Sequence, residues 1–151
     1  MEMFFTLALT VGLARHCWTD MRELLLYDGV NAYLLALGTA RACYLGLWRE
    51  AGGGALGLGA VMLLLYLASR GGMGEGDVKL AVVLGCWLGL ENGLACLLLA
   101  FIAGSLVGLL LLACGRAHGK QALPFGPFLC AAGLLCYFQG AQLVDWYWSL
   151  F

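Results

Sequence analysis

Apolar residues run through the chain in long blocks, and the interruptions are clusters of glycine, proline or charge rather than the regular polar stripe of a soluble amphipathic helix. The blocks predict helices over 2–19, 30–48, 54–69, 78–91, 94–114 and 125–148, most of them near the length of about 20 residues that carries a helix across a hydrocarbon core, with 78–91 short. The expected fold is therefore all-α: a polytopic transmembrane bundle of about six helices forming one membrane-embedded domain over 1–151. The polar triplet Glu91-Asn92-Gly93 is read as the outward turn between the fourth and fifth helices, and the glycine-rich run 51–59 as a place where helices approach closely.

Composition agrees, with 63% hydrophobic and only 11% charged residues and a mean hydropathy of +0.91, values that place the chain in lipid. A net charge of −1 gives no reason to expect nucleic acid as a partner. The basic residues are unevenly placed: an odd-even count of spans puts Arg15, Arg22, Arg70, Lys79, Arg116 and Lys120 on one side and Arg49 on the other. The positive-inside tendency makes the first side cytoplasmic. Arg41 falls inside the second helix, where it needs an ion pair or a role in substrate handling. The run 1–13 lacks a basic leading region and a small-residue cleavage site, so it reads as a retained first helix.

Seven cysteines are scattered through apolar runs with no CxxC pair, and His16 and His118 stand far apart without clustered partners. Neither pattern calls for a metal or a cofactor. The cysteines read as packing residues and the histidines as interfacial ones. Trp18, Trp48, Trp146, Tyr147 and Trp148 fall near helix ends, as in an aromatic belt.

The segment with chemical content is Arg70-Gly71-Gly72-Met73-Gly74-Glu75-Gly76-Asp77-Val78-Lys79-Leu80, a glycine cluster running directly into an apolar helix. Non-helical backbone at membrane depth is tolerated where protein buries it or water reaches it, so this segment is expected to line a hydrated cleft holding Asp77. A second carboxylate, Asp20, closes the first helix on the same face. Two carboxylates sharing a site do not both ionise easily; one keeps its proton to polarise a carbonyl while the other activates water. The residue types alone leave two readings open, such a pair or two separate helix-end charges in which Asp77 merely caps its helix.

The stretch Gly72-Met73-Gly74-Glu75-Gly76-Asp77-Val78-Lys79-Leu80 closely resembles the GxGD-containing signature of type IV prepilin peptidases. Asp20 is similar to that family's first catalytic aspartate, although the following Leu26-Tyr27-Asp28 lacks the proline of the usual Ile-Pro-Asn or Ile-Pro-Asp motif. Leu123-Pro124-Phe125-Gly126-Pro127-Phe128, followed by Gly133, resembles the segment that opens the last helix of bacterial members and favours them over the archaeal preflagellin peptidases. The resemblance implies an aspartic-type endopeptidase that removes the short basic leader of prepilin or pseudopilin substrates at the cytoplasmic face of the bacterial plasma membrane. By the same resemblance Asp20 and Asp77 are the catalytic pair, Gly72, Gly74 and Gly76 shape the active-site loop, and Arg22, Asp28 and Lys79 are supporting candidates. Lys79 serves equally well as a cytoplasmic anchor. Without a paired CxxC the sequence looks like a peptidase-only short form, and methyltransferase activity is not carried over. The competing class is a small ion- or proton-coupled transport component, in which paired intramembrane acids relay a cation.

Overall fold

In the computed structural model, residues 1–69, 72–115 and 124–149 are described. Arg70, Arg116, His118, Lys120, Leu123 and the side chain of Tyr147 lie outside them. The described residues form five helices and no strand: α1 (Glu2–Glu23), α2 (Asp28–Leu45), α3 (Trp48–Ser69), α4 (Glu75–Ala113) and α5 (Gly126–Trp148). Three of them, α3, α4 and α5, are long and apolar enough to cross a membrane. The first two are more polar, and His16, Asp20 and Asn31 are among the residues on their buried sides.

The sixth expected helix is not a separate element. The two helices predicted over 78–91 and 94–114 are arms of the 39-residue α4, broken only at Gly89, whose φ of 77° and ψ of −176° suit a residue without a Cβ. A straight helix would hold Asp77 and Gly104 about 40 Å apart, yet both line one cavity. The arms therefore fold back on each other at Gly89. Glu91, Asn92 and Gly93, expected to be the turn, belong to the first turns of the second arm. Asn92 is absorbed there because its Nδ2 reaches the Leu88 carbonyl at 3.5 Å and its side chain lies against Gly140 of α5.

Helix α5 packs along both arms. Gly133 faces Leu84 of the first arm, while Gly140 faces Asn92 and Gly104 faces Phe125 and Phe128, so α5 runs antiparallel to the second arm. On the other side α3 meets α4 backbone to backbone. A Cβ at Gly54 would strike the Gly85 carbonyl oxygen and the Gly89 backbone, and a Cβ at Gly85 would strike Gly54. The close approach expected of the 51–59 run is thus made at Gly54. Where a bulky group does enter, a glycine makes room: the Trp87 indole donates to the Leu34 carbonyl at 2.9 Å over Gly38, whose Cβ would fall 2.6 Å from Nε1.

Leu9, Leu13, Leu34, Leu58, Leu80, Leu84 and Leu129 are fully buried, whereas Leu7, Val11, Leu64, Leu98 and Leu109 stand outward. This is the arrangement of a bundle whose outer surface is met by hydrocarbon rather than water. Arg41 finds the ion pair its position demands, with Nε 3.4 Å from Glu2 Oε2, and its guanidinium lies 5.6 Å from the Tyr137 ring. Trp18, Trp48, Trp146 and Trp148 are exposed.

His16 departs from the interfacial position expected of it. It is fully buried, because it lies on the inward stripe of α1 formed by Phe5, Leu9, Gly12, Leu13, His16 and Asp20.

Candidate active site

Asp20 lies in the last turn of α1, which ends when Leu24 turns left-handed (φ 52°) and its N–H bonds back to the Asp20 carbonyl. That reversal turns 24–27 across the end of the bundle and lets α2 start at Asp28. Asp77 occupies the first turn of α4, three residues after the capping position, which Gly74 fills in an extended conformation. Asp77 is therefore not the capping residue itself. Its N–H bonds to the Gly74 carbonyl at 3.2 Å, and the Gly74 backbone lies beside its carboxylate.

The two aspartates, 57 residues apart in sequence, line the same cavity of about 800 Å³. They are 6% and 7% exposed and near enough for their charges to act on each other. The cavity wall is completed by 24–28, Gly72, Met73, Gly74, Glu75, Gly76 and Lys79 on one side, and by Phe101, Gly104, Ser105, Pro124 and Phe125 on the other. No group of three His, Cys, Asp or Glu side chains among the described residues could hold a metal ion.

Glycine has a specific use here. Gly76 faces Leu26, and a Cβ on it would fall 2.9 Å from the Leu26 Cβ, so the 24–27 turn closes over the loop only because that position is bare. Gly72 and Gly74 line the cavity beside it. Across the site, the Gly126 N–H donates to Asp20 Oδ2 at 2.9 Å, an N-terminal amide of α5 meeting a carboxylate at the favourable end of the helix dipole. Gly126 stood in the Pro-Phe-Gly-Pro-Phe segment of the sequence, but nothing in the pattern assigned it to Asp20. Phe101, Gly104 and Ser105 were also missed, since only the fold-back at Gly89 brings the second arm of α4 to the carboxylates.

The supporting candidates divide. Lys79 donates to both oxygens of Asp28, at 2.8 and 2.9 Å, tying the first arm of α4 to the start of α2 at the cavity rim, and lies 3.5 Å from Glu75. Arg22 does not reach the cavity; its guanidinium lies 4.2 Å from the ring centre of Trp18 on the outer face. Because the Lys79 and Asp28 side chains are largely exposed, water screens the pair and it adds little to stability. Lys79→Met is accordingly expected to leave the thermal unfolding midpoint nearly unchanged and to alter turnover less than about tenfold, measured on purified protein in matched membranes. A larger loss would move Lys79 into the chemistry.

A profile of the Type IV leader peptidase family matches residues 7–109. Among curated proteins, a prepilin leader peptidase/N-methyltransferase of Aeromonas salmonicida is 32% identical over 151 residues, 95% of this chain and 52% of the relative. One from Legionella pneumophila is 41% identical over 75 residues, covering 50% of this chain and 26% of the relative. A Bacillus subtilis protein of the same name is 35% identical over 95 residues, 60% of this chain and 38% of the relative. At its widest matches the chain spans about half the length of these relatives. No solved structure matches.

Proposed function

Because this chain belongs to the Type IV leader peptidase family, we propose that it is a membrane aspartyl endopeptidase that removes the leader from type IV prepilin-like substrates, using Asp20 and Asp77 as its catalytic pair. The observation that carries the reading is the convergence of two buried carboxylates from different helices on one cavity. A structural role for either acid alone would not require the other.

In this mechanism the pair holds one water and shares one proton. The ionised aspartate takes a proton from water as it attacks the scissile carbonyl, while its protonated partner donates to the carbonyl oxygen; both are regenerated as the amine leaves. No covalent acyl intermediate forms. The Gly126 N–H at 2.9 Å stabilises negative charge on Asp20 and holds the carboxylate facing the cavity. Substrate must present an extended backbone here, because a regular helix keeps its amides hydrogen-bonded. The junction between a polar leader and an apolar helix meets that requirement.

The cavity opens at the end of the bundle that carries Arg15, Arg22 and Lys79, which favours the cytoplasmic face of the bacterial plasma membrane for the reaction. Glu75 and Asp28 line the cavity together with Lys79, so the two acids leave one negative charge beyond their pairing with that lysine for a basic leader to meet.

The test is incubation of purified protein in lipid with a prepilin-like substrate carrying a basic leader and a glycine junction ahead of an apolar helix. Cleavage at the junction is expected. Folded protein that cleaves none of several leaders across pH, but carries ions in sealed vesicles, would replace this reading with the ion-coupled one.

A further inference from the structure

One helical turn inside the bundle from Asp20 lies a polar pair that the mechanism above does not use. His16 precedes Asp20 by four residues on the same buried stripe of α1. Asn31 belongs to the facing stripe of α2, Asn31, Leu34, Gly38 and Ala42. The helices pack antiparallel here: Gly12 lies directly against Leu34, with a Cβ at Gly12 only 2.6 Å from a Leu34 methyl. The next contact along that register, toward Asp20, is His16 with Asn31.

Both side chains are buried, His16 fully and Asn31 to within 5%. None of their four side-chain nitrogen and oxygen atoms has a hydrogen-bond partner among the described residues, although they lie close enough for Asn31 to act on the imidazole. Placing two imperfectly satisfied polar groups in an apolar interface is costly. Their neighbours on the two stripes are mostly apolar, so the burial of apolar surface that stabilises the interface does not account for them.

We propose that His16, acting with Asn31, is a positioning residue for Asp20. The polar contact between α1 and α2 sets the rotation of the last turn of α1, and with it the direction in which the Asp20 carboxylate meets Asp77 and the Gly126 N–H. The attraction between an amide and an imidazole depends on how the two groups are turned toward each other, whereas leucine packing would hold the helices together without fixing that rotation. The proposal rests on the peptidase reading, since it needs Asp20 to be catalytic.

The test measures cleavage of a prepilin-like substrate and thermal unfolding together for the wild type, His16→Leu, His16→Gln, Asn31→Leu and the His16→Leu/Asn31→Leu double variant, all in matched membranes. His16→Leu should unfold at the same or a higher temperature while kcat falls about tenfold with KM unchanged, the signature of a misplaced reacting group. His16→Gln, which restores a polar group of similar reach, should recover most of the loss. The double variant should be no slower than His16→Leu, because each change removes the same contact. If His16→Leu does not fold, Asn31→Leu puts the same question with the imidazole in place.

Unchanged kcat in the folded variants, a loss that merely follows a falling unfolding temperature, or losses that multiply in the double variant would each overturn the positioning role while leaving the peptidase intact. An inactive wild type would overturn the peptidase reading and this proposal with it.

Discussion

Asp77→Asn is expected to abolish leader cleavage, lowering kcat by at least about a thousandfold, while the protein unfolds at the same or a slightly higher temperature. The substitution is isosteric, so the first turn of α4 and the closure of the cavity survive. What disappears is a group that can pass a proton at the pH of the cell. Stability holds because Asp77 is 7% exposed and Asp20 acts on it as a neighbouring like charge, an unfavourable setting that a neutral amide relieves. Asp20→Asn should lose activity to the same degree, since the asparagine carbonyl can still accept from Gly126 but cannot take the proton. The double substitution should be no slower than either single one, because in the proposed mechanism the aspartates act as one proton-sharing unit and removing half removes the function. Measurable turnover by either single variant, within tenfold of wild type, would end the two-aspartate mechanism.

How far the chain discloses this arrangement depends on the distance over which each feature is encoded. Asp77 and its glycine loop are legible because the information is local: a carboxylate at the mouth of an apolar helix, behind glycines that permit a loop at membrane depth. Asp20 is legible as a charge at a helix end, and its place opposite Asp77 follows once both helices are given a common face. The fold-back within α4 is less legible. Glu91, Asn92 and Gly93 look like a turn because they are the polar residues in reach, whereas the backbone reverses at Gly89, two residues earlier and flanked by Leu88 and Leu90. A positive φ leaves no mark on hydropathy.

Side-chain direction was the other hidden quantity. His16 and Arg22 are both polar residues in the second half of α1, yet one is fully buried and the other projects outward over Trp18. The distinction is visible only by extending the four-residue spacing back from Asp20, which places His16 with Leu13, Leu9 and Phe5 and leaves Arg22 off the stripe. Gly126 illustrates a third kind of concealment: its contribution is a backbone N–H, which no residue pattern displays.

That contribution leads to the second large effect. Gly126→Ala should fold normally and cleave about a hundredfold more slowly. Alanine is the better helix former, although at the first position of α5 the gain is small. A Cβ at this position, however, would fall 2.6 Å from Asp20 Oδ2 and 2.9 Å from its Cγ, so the carboxylate must turn away or α5 must withdraw. Either response lengthens the 2.9 Å hydrogen bond from the Gly126 N–H and moves a reacting oxygen by about an ångström, the scale of error that costs around two orders of magnitude in rate. The unfolding temperature should change little, because helix preference and local crowding oppose each other. Gly29→Ala and Gly108→Ala serve as controls: each glycine is helical and has open space where the methyl would go, so each should gain the helix preference and keep full activity. If Gly126→Ala cleaves as fast as these controls, the amide of α5 does not hold Asp20 during turnover, and the carboxylate must be oriented from its own helix alone.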